Sequence, residues 1–190
     1  GYKVYASAGT LYELERAELL NYCREYGIIG DNGIAVADML VKRFRTSHDS
    51  RESLGFRVST GDGRVLSVAT DTGCMTQEVR QSLMGSDLVL IESNHDVEML
   101  KSGSYPYFLK RRILCNTGHL SNECCAVELP ALAESGVTRF VLGHLSKENN
   151  LPELAYNTSL SALKAAGLME NRDFILSVAP RDATAPVMVL

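Results

Sequence analysis

The segment RFVLGHLSKENNLPELA, residues 139–155, holds a short apolar run, a histidine, a polar turn and a proline in succession. RFVLG reads as a buried strand that stops at His144. Pro152 suits the first turn of a helix running on to Gly167. A strand passing into a helix in so few residues is the unit of a sheet covered by helices. Working outward, DLVLIE (87–92) is a second buried strand, ending at Glu92. LGFRVST (54–60) and VLSVAT (65–70) flank the turn GDGR (61–64) as a hairpin. MLVKRFRTS (39–47) is a strand candidate ending at His48. YKVYAS (2–7) opens the chain as a strand, and Thr10 is expected to cap a helix from Leu11 to about Tyr26, closed by Gly27. TQEVRQSLM (76–84) is a short helix. Another starts near Ser121, with Glu123 in its first turn and Pro130 expected to kink or break it. LKRRIL (109–114) is ambiguous. FILSV (174–178) and PVMVL (186–190) close the chain as strands. The expectation is an α/β or mixed α+β fold, with residues 1–190 forming one domain.

Of 190 residues, 45% are hydrophobic and 22% charged, which is ordinary for a globular protein. No apolar run is long enough for a membrane span. The net charge of −4 argues against an all-round coat for nucleic acid, though not against a local basic groove. Five cysteines form no CxxC pair and no even framework, which favours free thiols in a reducing, cytoplasmic compartment.

The chain writes GHLSNE at 118–123 and GHLSKE at 143–148, using two of its four histidines. His48, Asp71, Glu92 and His144 each stand where a strand candidate stops, and His119 lies just before a helix. Side chains at strand ends are held rigidly while facing an open edge, which suits a binding or catalytic centre. Imidazoles with a carboxylate suit zinc, manganese or iron. The residues alone leave plainer readings open: a histidine after a strand is often a hydrogen-bonded loop residue, and Asp in TDTG is a common turn residue. Cys115 lies within apolar ILC and reads as core. Cys124 and Cys125 stand near a helix start, where a thiol pKa falls, but structural cysteine is the commoner case.

SHDSRESLGF, VATDTG, LIESNHD, GHLSNE and LGHLSKENN, occurring in this order, resemble the metallo-β-lactamase superfamily and closely its bacterial YycJ/WalJ-like branch. The likeness runs from Tyr2 to about residue 165. It implies an αββα sandwich and a metal-dependent hydrolase, foremost a DNA exonuclease in which a hydroxide formed between two divalent cations (Zn or Mn, or else Fe) attacks a phosphodiester. By the same resemblance His48, Asp71 and His144 are metal ligands, with Asp71 bridging. His119 sits beside the scissile phosphate, and Glu92 supports it.

The family's HxHxDH motif and the N-terminal strands of the sandwich are absent, so this chain is expected to hold too few ligands for two full sites. An uncovered apolar edge, favouring self-association or pairing with the N-terminal part, is expected with them. DNA or another phosphodiester is the expected partner. Lys42, Arg43 and Arg45, with Lys110, Arg111 and Arg112, are candidate phosphate contacts, and Tyr105 and Tyr107 are candidate stacking residues. His95 and Asp96 either hydrogen-bond near the site or cap the next helix. Hydrolysis of a small ester or thioester is an alternative on the same fold. A further alternative is an inactive fragment that serves only assembly or binding.

Overall fold

The computed structural model describes residues 2–185, 187 and 188. Strand β1 (Lys3–Ala6) is followed by helix α1 (Ala8–Arg16), a 3₁₀ turn (Leu19–Tyr22) and β2 (Glu25–Ile28). Ser7, three residues before the expected cap, takes the Thr10 N–H at 3.1 Å and so starts the helix early. The helix does not reach Tyr26. It stops at Arg16, Glu18 turns left-handed at φ 57°, and Tyr26 and Gly27 lie in β2, paired parallel with Val4 and Tyr5 of β1. Tertiary pairing overrides a helical pattern of apolar residues there.

Seven strands form the second sheet in sequence order: β3 (Ile34–Val36), β4 (Met39–Arg45), β5 (Leu54–Ser59), β6 (Val65–Ala69), β7 (Leu88–Glu92), β8 (Arg139–Gly143) and β9 (Ile175–Val178). β3 to β6 pair antiparallel, and β6 to β9 pair parallel. The helices that cross between parallel strands are α2 (Gln77–Leu83), then α3 (Val97–Ser102), α4 (Tyr107–Leu114) and α5 (Asn122–Glu134), then α6 (Pro152–Ala165). The α/β reading therefore holds, and so do the hairpin at β5–β6 and the helix from Pro152. LKRRIL belongs to α4. Residues 186, 189 and 190 of the expected last strand lie outside the described residues, and Val187 and Met188 are in no strand.

One face of the sheet carries the core. Val89 and Ile91 of β7 and Phe140 and Leu142 of β8 alternate inward as a strand demands, and Val79, Leu83, Leu129, Leu132 and Leu163 of the helices pack with them. Leu66, Val68 and Leu90, on the opposite face, are only half-buried. Pro130 does not break α5. It sits inside the helix, because Cys125, Leu129 and Leu132 anchor both sides of it in the core.

At the carboxyl ends of the parallel strands, buried amides tie three loops together. The Asn150 side-chain nitrogen lies 2.9–3.0 Å from Ser93 O, Asn94 O and Asn122 Oδ1. Asn94 donates its backbone N–H to Leu120 O and its side-chain N–H to His144 O, while its carbonyl accepts from Ser146 N. SNHD thus lies between the two HLS segments and fastens to both. Because removing Asn150 leaves several buried groups unsatisfied, Asn150→Ala should cost about 3 kcal/mol in urea denaturation. Exposed Lys147→Ala, three residues away, should stay within about 0.5 kcal/mol. A cost for Asn150→Ala as small as that of the control would refute the tying role.

Candidate metal centre

Asp71, Glu92 and His144 come from the carboxyl ends of adjacent β6, β7 and β8, and His48 from the end of β4 on the same edge. That edge is where open sheets of parallel strands bind ligands. Asp71 and His144 both adopt left-handed backbone conformations, φ 52° and 58°. Non-glycine residues do so at a cost of about 1–3 kcal/mol each and persist only where their surroundings hold them. Here those turns aim two side chains back over the strand ends.

Glu92 is the hub. It is fully buried. One carboxylate oxygen, Oε1, accepts from His119 Nδ1 at 2.8 Å and from His144 Nδ1 at 2.7 Å, and Oε2 accepts the Thr72 N–H at 2.7 Å. Burial alone pushes this carboxyl up, but the hydrogen bonds from His119, His144 and Thr72 outweigh it and hold the group below its ordinary range. The bond to Glu92 in turn raises the His144 pKa against the opposing effect of burial. With Nδ1 of both rings carrying the proton, the Nε2 lone pairs are left free, the tautomer a metal ligand needs.

Asp71 stands opposite. Its Oδ1 lies 3.7 Å from His48 Nε2, 3.7 Å from His144 Nε2 and 3.8 Å from His119 Nδ1. The rings of His48 and His119 are 5.0 Å apart, and those of His119 and His144 5.2 Å. One ligand atom from each of Asp71, Glu92, His119 and His144 falls within 4.8 Å of all the others. All five residues singled out from the sequence therefore converge. The donor set of imidazole nitrogens and half-exposed carboxylate oxygen fits a divalent cation. His48 differs from the other two histidines, because its Nδ1 accepts the Ser50 N–H at 3.1 Å. Ligation through its Nε2 therefore requires the proton to move to Nδ1 and that contact to open.

The repeated hexad now has a local explanation. Each copy places a histidine on Glu92 and then uses its serine to take an N–H three residues on, both at 3.2 Å: Ser121 Oγ takes the Cys124 N–H and so caps α5, and Ser146 Oγ takes the Asn149 N–H and closes a turn. Gly118 is needed for close approach, since a Cβ there would lie 2.2 Å from Arg112 O. TDTG is more than a turn. Thr72 reaches both Glu92 and the Ser47 N–H, and a Cβ on Gly73 would meet the Asn116 backbone at 2.5 Å.

Several expectations are corrected. Cys115 is exposed rather than core, and so is Cys124, whereas Cys125 is fully buried with its thiol pKa pushed up by burial. Arg112 holds Asp49, beside His48, in a bidentate pair at 2.5 and 2.9 Å. Lys110 caps the end of α3 through Lys101 O and Gly103 O. Arg43 pairs with Asp31. These cations are therefore occupied within the protein. Asp96 caps α3 by taking the Met99 N–H. Tyr107, a stacking candidate, is exposed. Thr72, Asn94 and Asn150 went unnoticed in the sequence, because polar residues in loops carry no periodic signal.

Comparison with known proteins follows this geometry. The family model described as "Beta-lactamase superfamily domain" matches residues 1–145. Exodeoxyribonuclease WalJ of Streptococcus pneumoniae is 39% identical over 148 residues, covering 77% of this chain and 55% of that protein. Exodeoxyribonuclease YycJ of Bacillus anthracis is 37% identical over 130 residues, covering 68% and 49%. The chain spans about half the length of these relatives. Zn(2+)-bound PqqB from Methylobacterium extorquens superposes with a TM-score of 0.65 at 18% identity, over 97% of this chain and 64% of that one, and so shares the fold.

Because the folded-state pKa of Glu92 is depressed, its stabilisation is present above the ordinary value of 4.5 and is lost as pH falls below it. In metal-free protein at pH 7, Glu92→Gln should cost about 3 kcal/mol. The gap from wild type should close as pH drops from 4.5 toward 3, followed by thermal unfolding. A gap independent of pH would contradict an ionised hub.

Proposed function

This chain belongs to the metallo-β-lactamase superfamily, and from that premise we propose that it carries the catalytic edge of a metal-dependent hydrolase cleaving phosphodiesters in DNA. The observation that carries the reading is the single buried carboxylate of Glu92 holding two histidines in one tautomer opposite Asp71. The names of WalJ and YycJ as exodeoxyribonucleases support DNA as the substrate.

Asp71, His144 and His48 would hold divalent cations. Such cations supply Lewis acidity toward the phosphoryl oxygens and lower the pKa of water toward about 7. Asp71 Oδ1, 3.7 Å from Nε2 of both His48 and His144, would hold the cations together with those two rings. Glu92 orients His119 and His144 and does not itself touch substrate. His119, not needed as a ligand in this scheme, would stand beside the scissile bond, and in its doubly protonated form, with Nδ1–H kept on Glu92, it would give its Nε2 proton to the leaving oxygen. A phosphodiester fits this division of labour, since its leaving oxygen develops negative charge within reach of that imidazole.

Substrate contact outside the centre falls to α4. Tyr107, Arg111 and Leu114 recur at helical spacing on one face, and Tyr107 and neighbouring Phe108 are 75% and 73% exposed. Exposed aromatics interleaved with arginine suit unpaired bases and their phosphates. Among the described residues no helix is long and apolar enough to cross a membrane. All five cysteines are free, which supports a reducing, cytoplasmic setting.

Metal analysis with nuclease assays tests the scheme. His144→Ala should lower the bound Zn, Mn and Fe and abolish cleavage. His119→Ala should keep the metal and reduce turnover of double-stranded DNA by about 10²–10⁴-fold. Ester and thioester substrates run in parallel distinguish a nuclease from a small-ester hydrolase. Full activity in His119→Ala, or no metal in wild type, would overturn the assignment.

A further inference from the structure

Glu92 accepts from Nδ1 of His119 and His144 at 2.8 and 2.7 Å, and His48 is the ring of the centre that it leaves out. His48 Nδ1 accepts the Ser50 N–H at 3.1 Å, so the proton of the neutral ring sits on Nε2. That is the nitrogen 3.7 Å from Asp71 Oδ1. Ligation through Nε2 reverses the arrangement. A proton is lost from Nε2 and gained at Nδ1, the ring stays neutral, and Nδ1–H then needs an acceptor. Ser50 is exposed, so its released N–H passes to water.

Among the described residues the carboxylate facing that nitrogen is Asp49, whose Oδ1 lies 3.7 Å from Nδ1. A closing of about 0.5–1 Å brings the pair into hydrogen-bond range. The carboxylate is already held from behind. Arg112 of α4 donates to Oδ2 through Nε at 2.5 Å and to Oδ1 through Nη2 at 2.9 Å. A carboxylate oxygen has two lone-pair sites, so Oδ1 keeps room for an imidazole N–H beside the guanidinium. The backbone is pinned as well. Asp49 N–H donates to Thr117 O at 2.9 Å, and on the other side of His48 the Ser47 hydroxyl donates to Asn116 O at 2.8 Å. With both neighbours fixed, the ring has little to move but itself.

We propose that Asp49 is a positioning residue for His48: once Nε2 binds a divalent cation, Nδ1–H donates to Asp49 Oδ1, and Arg112 keeps that oxygen in place. The proposal rests on His48 being a ligand, as in the reading above. It gives the centre two carboxylates that orient its rings, Glu92 on β7 and Asp49 in the loop after β4. It also makes α4 part of the support of the metal.

Zn²⁺ titration of the purified chain against a competing chelator, with ¹⁵N NMR of the histidine rings, tests it. Metal-free His48 should carry its proton on Nε2 and zinc-loaded His48 on Nδ1, whereas His119 and His144 keep theirs on Nδ1 throughout. Asp49→Ala should weaken Zn²⁺ binding about 10–100-fold. Arg112→Ala, which leaves the acceptor but frees it, should weaken binding by a smaller factor, and it carries the test if Asp49→Ala does not fold. Glu98→Ala, which breaks an exposed pair with Lys101 on α3, should leave the affinity unchanged. In a His48→Ala background neither substitution should add a further loss, because the carboxylate has no ring left to orient. Unaltered affinity, or an equal loss with and without His48, would overturn the positioning role and leave His48 a ligand. Wild-type affinity in His48→Ala would remove the ligand reading, and the proposal with it.

Discussion

A buried carboxylate with no partners would be driven to protonate, and one with partners organises whatever it touches. Glu92 is of the second kind. Its two oxygens receive three N–H groups from segments that follow β6, α4 and β8, at Thr72, His119 and His144. The tautomers of two imidazoles, the position of the Asp71 turn and the closeness of the two GHLS loops all follow from that one group. Breaking a buried ionic arrangement by deleting one partner is much costlier than never having built it, so the geometry is strongly specified once the chain has committed to it.

The surroundings of the hub are built to resist relaxation. The left-handed turns at Asp71 and His144 would each revert if free. The Asn94 amide holds the His144 carbonyl at 2.8 Å, and Thr72, next to Asp71, is pinned by Glu92. Gly73 and Gly118 let the Asp71 loop and the segment before His119 pack backbone against backbone. Asp49 and Arg112 fasten the His48 loop to α4. The centre is thus a set of loops clamped to one another across the sheet edge, and the rigid ladder beneath supplies the reference frame.

Much of this was legible in the residues. Short apolar runs stopping at His48, Asp71, Glu92 and His144 marked the edge, because a buried strand has a clear composition and an abrupt end. The parallel pairing of β1 with β2 was not legible. Tyr22, Cys23 and Tyr26 fit a helical repeat as well as a strand, and only contact with Val4 and Tyr5 decides between them. Pro130 misled for a related reason: local chemistry disfavours it in a helix, whereas the packing of Leu129 and Leu132 decides otherwise. Which histidine donates to which oxygen, and that Arg112 and Lys110 are already engaged, depend on side chains brought together from distant positions and leave no imprint in spacing.

His144 and Glu92 are 52 positions apart in the chain, and His119 and Glu92 are 27. No short peptide cut from this sequence contains the cluster, and an extended coil holds its members far beyond coordination range. A cation that gathers them consequently discriminates between the ordered and the random chain. By mass action it draws the population toward order. If a cation does gather them, ionic occupancy and conformational integrity become two readings of a single equilibrium, and starvation for metal would surface first as fragility.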